Sequence, residues 1–457
     1  MNDYKLNTHE IRITIGVCII FMLRMLGMFM VTPAMHTTGI LFPHSNKFLI
    51  GVAIGIYGLM QAIFQIPFGF LSNRIGYKYT ILIGLLLFFI GSIILCFSNS
   101  IFGIIIGRGL QGIGTVSSVF IALLSHVIRE QNYIKSISCI GITFGISFLS
   151  AIILGPIIIE YFGLYGLFKI IVLASILCIL VALKYVFPYC DTVFYQNKEK
   201  ISIYQTNSFM KKYDVFAYVI SIFFLHFLLT LNFIIFPKNM ELLGYVLKKH
   251  FEIYTIIIIL SLFITIPLII FSEKKKYIRL LMIFVIFMMI MSSMILLIFK
   301  LNFFIFFTSM YLFFVSFILS ETFIPSLLSR ILSIEYKNII MSIYSTSQFL
   351  GIALGGALGG LTYQCCGMKT VFLLDISISV VWLIIFYFIT PPKYICSISI
   401  LINKKRNFKL DIDTLLQNDS GIILIEYSKS DAFLLIKFDS TKTDADRIRY
   451  FLQDKKY

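Results

Sequence analysis

The sequence predicts an all-α polytopic membrane protein of twelve transmembrane helices, six plus six, followed by a small cytoplasmic α+β domain. Three observations predict it. The chain of 457 residues is 59% hydrophobic and only 13% charged, whereas soluble chains are about half apolar and roughly a quarter charged. Apolar runs of the length a bilayer requires, about 20 residues each, recur twelve times. Composition then changes abruptly at Pro391 and Pro392, after which 12 basic and nine acidic residues crowd into 393–457. So large an apolar surplus cannot be hidden in one globular core. Soluble enzyme, disordered chain and secreted disulfide scaffold are excluded for the chain as a whole.

Cutting at polar clusters places the spans at 12–35, 48–70, 79–98, 101–124, 135–159, 165–186, 214–237, 252–272, 277–299, 302–329, 338–362 and 368–390. The first follows a polar start and lacks a small-residue cleavage site, so it reads as a retained span. The polar stretch 187–213 is the longest interruption and separates a six-helix bundle at 1–186 from a second at 214–392. Such a six-plus-six plan is the one parallel-repeat transporters use. With the N-terminus inside, the inner loops before 391 hold 17 Lys and Arg against seven outside. That bias puts both termini in the cytoplasm. It also accounts for most of the +16 net charge through orientation, with no nucleic acid as partner. The eight cysteines are scattered through apolar segments without metal-ligand spacing, so they imply neither a metal site nor a disulfide framework.

Within 393–457, strands are expected at 395–402, 421–427 and 432–438, and helices at 411–417 and 445–453. The order βαββα is a ferredoxin-like split unit whose final strand is missing or very short.

Three local patterns carry mechanism. Between spans two and three stands Gly69-Phe-Leu-Ser-Asn73-Arg74-Ile-Gly76-Tyr-Lys78. A glycine near the helix end, basic residues and a second glycine suit a tight reversal, although an ordinary positive-inside loop would look similar. Span four contains Arg108-Gly-Leu-Gln-Gly112-Ile-Gly114. An arginine within hydrocarbon must face protein or water, and the glycines admit a close neighbour. Span five is glycine-spaced and ends in Gly155-Pro156, where proline interrupts helix hydrogen bonding. Two small-residue stripes add helix-packing candidates: Gly51, Gly55 and Gly58 in span two, and Gly351, Gly355 and Gly359 in span eleven.

Together these motifs resemble the major facilitator superfamily. With Arg24-Met-Leu-Gly-Met-Phe-Met, Gln61 to Gly69 and Tyr344-Ser-Thr-Ser-Gln-Phe-Leu-Gly351, the chain looks like the bacterial YajR-type drug-efflux transporters, which carry a ferredoxin-like domain after span twelve. The resemblance implies a proton-driven antiporter of the bacterial inner membrane, alternating between inward- and outward-open states. It also implies that the loop around Asn73 packs on span eleven and stabilises the outward-open state. Two positions depart from the family pattern. Asn73 replaces an aspartate and cannot carry charge, and His126 stands at the inner end of span four where an acid is expected.

In that arrangement spans one, four, seven and ten line the cavity, and their ionisable residues are Arg24, Arg108, His226 and Glu321. Glu321 is the sole carboxylate among them and the candidate proton-coupling acid. A structural ion pair with Arg24 is its plainer alternative. His226 either titrates or simply hydrogen-bonds, and Asp375 should face another helix outside the cavity. Abundant Phe, Met and Ile suit hydrophobic or amphipathic solutes. The expected partners are a small-molecule substrate, protons and the lipid bilayer around a monomer, with no cofactor and no enzymatic activity. A metabolite symporter or facilitator, or a transporter-like sensor acting through its tail, are the alternatives.

Overall fold

The computed structural model describes residues 7–39, 42–114, 116–128, 130–190, 202–205, 212–245, 247–275, 278–332, 334–388, 395–401, 421–428, 433–439, 442–444 and 448. Its membrane part begins with α1 (Thr8–Thr38), α2 (Lys47–Ile75) and α3 (Tyr77–Phe97), followed by α4 (Ile101–Ile113), α5 (Ser117–Val127), α6 (Glu130–Val181) and the short α7 (Phe187–Cys190). The second half comprises α8 (Lys212–Leu242), α9 (Leu247–Lys275), α10 (Ile278–Ile298), α11 (Phe303–Ile331), α12 (Ile334–Cys366) and α13 (Met368–Tyr387). Among the described residues, 11 helices are long and apolar enough to cross a membrane. The stretch Lys135–Cys190 has 56 residues, about 84 Å at 1.5 Å per residue, so it holds two passes. Its break lies at Gly163, whose φ of 66° is open to glycine and strained for other residues. Counted this way, each of the twelve expected spans has a counterpart.

Span four is not the continuous helix the hydropathy suggests. It divides into α4 and α5 around Gly114 to Val116. A Cβ at Gly114 would stand 2.5 Å from the Gly84 carbonyl oxygen, and one at Gly112 would collide with that of Tyr57. Neighbouring backbones thus approach closely on two sides just before the break.

Short polar residues fix the helix starts. Asn46 accepts from the Leu49 amide at 2.7 Å, Asn302 from Ile305 at 2.9 Å and Ser100 from Gly103 at 3.3 Å, which satisfies amides that have no partner within the helix. Prolines 33, 67, 156, 237, 267 and 325 all lie inside helices. Membrane helices tolerate this because neighbouring helices shield and re-satisfy the freed carbonyls. Large apolar side chains such as Phe70, Ile142, Phe263 and Phe304 point outward, the surface expected of a protein solvated by lipid.

Alternation of the passes puts the start of α1 and the ends of α2, α5, α11 and α13 on one face, the terminal face. There Glu10 accepts from Asn132 at 3.1 Å, and Arg279 donates to the Tyr387 carbonyl at 2.9 Å. The two halves meet along α2 and α12. Gly51, Gly55 and Gly58 press on Gly356, Ala353 and Phe349; a Cβ at Gly55 would lie 2.5 Å from the Ala353 oxygen. At the opposite face Lys47 Nζ sits 3.7 Å from the Tyr363 ring centre, and the Phe48 amide donates to Gln364 at 3.0 Å. Gly351, Gly355 and Gly359 face α8 instead, against Phe223, Phe227 and Leu231. The expected stripe on span eleven therefore serves span seven, and the adjacent Gly356 and Gly360 serve span two.

Beyond the membrane part is a four-stranded antiparallel sheet of order β1-β3-β4-β2. Strands β2 (Ile395–Leu401), β3 (Ile422–Ser428) and β4 (Phe433–Asp439) lie where the sequence places strands. Strand β1 (Ser202–Gln205) comes from the linker between the two bundles and pairs Tyr204 with Ile425; the sequence reading has no counterpart for it. The expected helix at 411–417 lies outside the described residues, as does 445–453 except for Ile448. Lys437 Nζ on β4 donates to the Leu332 carbonyl at the end of α11, so the sheet touches the terminal face.

Candidate functional site

Glu321 lies half-buried on α11, one turn after Phe317. Its Oε2 is buried without a hydrogen-bond partner and stands 3.8 Å from His226 Nε2 on α8. Gln348 on α12 approaches the same imidazole nitrogen at 2.8 Å, and His226 Nδ1 lies 3.3 Å from the Ile222 carbonyl. These contacts are met by one neutral tautomer, with Nδ1–H donating to the carbonyl and Nε2 accepting from the amide. Three helices thus fix the imidazole beside the carboxyl, and among the described residues no lysine or arginine is ion-paired with that carboxyl.

Across the interface between halves runs an aromatic seam. Phe148 on α6 and Phe317 on α11 have ring centres 4.9 Å apart, and Phe29 on α1 lies 4.9 Å from Phe148. Phe317 also stands edge-on to His226 at 5.8 Å. Close aromatic pairs contribute beyond their buried area, and this one joins the two bundles a single helical turn from Glu321. Gln348, Phe148 and Phe317 were not among the expected site residues. The only available signal was the polar run Ser342 to Gln348 within an otherwise apolar span.

The N-terminal half holds two arginines. Arg24 on α1 is buried, with its Cζ 5.4 Å from the Phe88 ring centre on α3. Arg108 on α4 is buried 4.6 Å from the Tyr57 ring centre and donates to Gln111 Oε1 at 3.3 Å. Gln111 continues to Ser92 Oγ at 2.9 Å, and Ser92 to the Phe88 carbonyl at 2.7 Å. Among the described residues neither arginine is ion-paired with Glu321 or any other carboxylate. The structure does not bring Arg24 and Glu321 together.

Asp375 on α13 is buried, accepting from Asn232 Nδ2 on α8 at 2.7 Å and from the Ser379 hydroxyl at 3.5 Å. It faces neighbouring helices of its own bundle, away from the seam.

At the α2–α3 turn, Gly76 alone reverses the chain with φ 85°. Thr80 Oγ1 donates to its carbonyl at 2.8 Å, and Ser72 Oγ donates to that of Gly69 at 2.7 Å. Asn73 and Arg74 are exposed and Lys78 is half-buried. The described polar contacts between α2 and α12 stop short of this turn, at Gln65, whose Nε2 donates to the Ser342 carbonyl at 3.3 Å. His126, at the end of α5, lies 5.7 Å from the Tyr77 ring. Gly155, just before Pro156, admits the α1 backbone at Met30, 3.4 Å from where its Cβ would be.

Known proteins give this arrangement its context. Residues 17–334 match the Major Facilitator Superfamily. The chain is 44% identical over 355 residues to an uncharacterized transporter of Buchnera aphidicola subsp. Acyrthosiphon pisum, covering 77% of this chain and 90% of that protein. It is 36% identical over 446 residues to the inner membrane transport protein YajR of Escherichia coli, covering 97% and 98%. A crystal structure of the D-xylose-proton symporter superposes with TM-score 0.62 at 13% identity, covering 84% and 99%, a likeness of fold.

Proposed function

Since the chain belongs to the Major Facilitator Superfamily and is thus a multi-pass membrane transporter and not an enzyme, we propose that it exports small hydrophobic or amphipathic compounds in exchange for protons. In this reading Glu321 carries the proton. The observation that supports it is Glu321 Oε2, which has no hydrogen-bond partner and lies 3.8 Å from His226 Nε2, one turn from the aromatic seam between the halves. Binding or losing a proton there changes the charge at the place where the two bundles must part. The alternation is a rocking of one bundle against the other around the seam. With the terminal face cytoplasmic, the tight α2–α12 contact at the opposite face and the exposed Asn73 turn correspond to an inward-facing state. The membrane is the bacterial inner membrane, the assembly a monomer, and the four-stranded sheet part of a ferredoxin-like cytoplasmic domain.

The test is efflux of a fluorescent amphipathic dye from proteoliposomes with and without an imposed pH gradient. Wild-type protein should respond to the gradient and Glu321→Gln should not. Gradient-independent transport by the wild type would remove the antiport reading.

A further inference from the structure

One nitrogen of the His226 imidazole has two neighbours competing for it. Nε2 lies 2.8 Å from Gln348 Nε2 on α12 and 3.8 Å from Glu321 Oε2 on α11. The other nitrogen, Nδ1, is turned to the Ile222 carbonyl of its own helix at 3.3 Å. A carbonyl can only accept, so the ring hydrogen sits on Nδ1 and leaves Nε2 a bare lone pair. The Gln348 amide donates into that lone pair, and the Glu321 proton finds no vacant acceptor on the ring.

Packing holds Gln348 in that place. Beside it, Ser347 Oγ donates to the Val219 carbonyl of α8 at 2.8 Å, and three residues on, a Cβ at Gly351 would collide with the Phe223 carbonyl. His226 and Gln348 are both buried, which strengthens a hydrogen bond between them. Of the buried charged groups on the other helices packed against α8, Asp375 of α13 accepts from Asn232, Arg24 of α1 lies over the Phe88 ring, and Glu10 of α1 accepts from Asn132. Tyr344 of α12 is buried within electrostatic reach of Glu321. Because α8, α11 and α12 belong to one bundle, the contact travels with that bundle as it rocks against the other.

We infer that Gln348 is a positioning residue of proton coupling: its amide occupies His226 Nε2 and withholds that nitrogen from the Glu321 proton. Without it, the Glu321 O–H bond would break, an Nε2–H bond would form, and a carboxylate–imidazolium pair would remain. Such a pair is costly to break up inside the protein, so it retains its proton. With Gln348 in place the carboxyl alone gains and loses the proton, as a carrier that releases it on the far side requires. The role in coupling rests on the proton reading above; the occupancy of Nε2 does not.

Magic-angle-spinning 15N NMR of the full chain in lipid, labelled at its histidines, tests this at neutral pH. The chain has six histidines, and the His226 signals are those lost in His226→Asn. Wild-type His226 should show a protonated Nδ1 and a bare Nε2. Gln348→Met, of similar length but without a donor, should show a protonated Nε2, and adding Glu321→Gln should return it to the bare form. Gln348→Leu should repeat the Gln348→Met spectrum. In the dye-efflux assay both donor-less variants should lower the gradient-driven rate at least about tenfold, the worth of a hydrogen bond to a charged group. A protonated Nε2 in the wild type, or a bare one in both donor-less variants, would overturn the occupancy. A protonated Nε2 that persists after Glu321→Gln would show that the proton is not that of Glu321 and overturn the proposal. Undiminished gradient-driven efflux with Nε2 protonated would overturn the role in coupling. The wild-type spectrum involves neither transport nor an altered Gln348, so it stands whether or not export is proton-driven and however well a Gln348 variant folds.

Discussion

The two bundles share a fold but differ in the ionisable groups of their inner helices: α1 and α4 carry arginines, α11 and α13 carboxylates. The N-terminal one encloses Arg24 and Arg108, and the C-terminal one holds half-buried Glu321 and buried Asp375; among the described residues no ion pair joins either arginine to a carboxylate or either of these carboxyls to a lysine or arginine. Had the four been structural, the economical solution would be to pair them, since an unpaired charge in a membrane interior is expensive. Keeping them apart leaves Glu321 free of a fixed cation, as the proposed proton carrier needs to be. Between α6 and α11 the halves touch through Phe148 and Phe317, and among the described residues no salt bridge that would lock them joins the two bundles.

The two carboxylates of the C-terminal half allow the sharpest test of this contrast. Asp375 is satisfied by Asn232 and Ser379 within its own bundle, whereas Glu321 Oε2 lies unpartnered beside the seam. Glu321→Gln should therefore reduce gradient-driven transport to the leak of protein-free liposomes. Asp375→Asn should keep it within about twofold, because an intramembrane polar group away from the pathway acts through packing, and should mainly lower the thermal midpoint. If Asp375→Asn abolished gradient dependence and Glu321→Gln spared it, the assignment of roles would be reversed.

Next in size is the contact that holds the halves together. A side chain at Gly51 would meet the Gly356 carbonyl, while at Gly141 nothing lies within 4 Å. Gly51→Val should cost about 1–3 kcal/mol, the usual penalty of overpacking a tight contact, visible as a lower thermal midpoint. It should also increase labelling of a cysteine placed at Phe48. Gly141→Val should do neither. Equal behaviour of the two variants would show that α2 and α12 do not meet this closely in the membrane.

What the sequence made legible follows from range. Span lengths, the tail's composition and the three strands it gives the sheet are local properties, and each could be read from consecutive residues. The glycine stripe on span eleven was visible, but Gly355 and Gly356 are adjacent and point to different helices, so its partner depended on packing. Strand β1 was illegible because four residues carry little periodicity and their partner lies more than 200 positions along the chain. Gln348 carries no charge, and only its position against His226 gives it a role. The unpartnered nitrogens of Arg24 and Arg108 are likewise a tertiary fact, since a sequence shows an arginine and not which of its nitrogens are satisfied.

A smaller effect is expected at the α2–α3 turn. Asn73 is exposed, and restoring a carboxylate there adds charge beside Arg74 and close to the start of α3. Charges near helix ends shift equilibria by about two- to fivefold. Asn73→Asp should accordingly move the distribution between inward- and outward-facing states by that factor toward outward, measured by the accessibility of single cysteines on each face. An unchanged distribution would mean that the turn does not bias the halves at all.

The smallest effect on transport should come from the sheet, although its geometry is the most directly checked. Tyr204 and Ile425 are register partners in an antiparallel pair, a spacing of about 4.5–5.5 Å between Cα atoms that a disulfide can bridge. Oxidising Tyr204→Cys with Ile425→Cys should link the inter-bundle linker to the tail. Because Lys437 already ties the sheet to the end of α11, the linked protein would have its linker fastened to the C-terminal half. If the rocking of the bundles needs that linker to move, the crosslink slows transport and reduction restores it. If the sheet merely rides on the C-terminal half, rates stay within about twofold and deletion of 394–457 is equally silent. The second outcome is expected, since Glu321 and Phe317 lie about three and four helical turns along α11 from Leu332, where the sheet touches that helix.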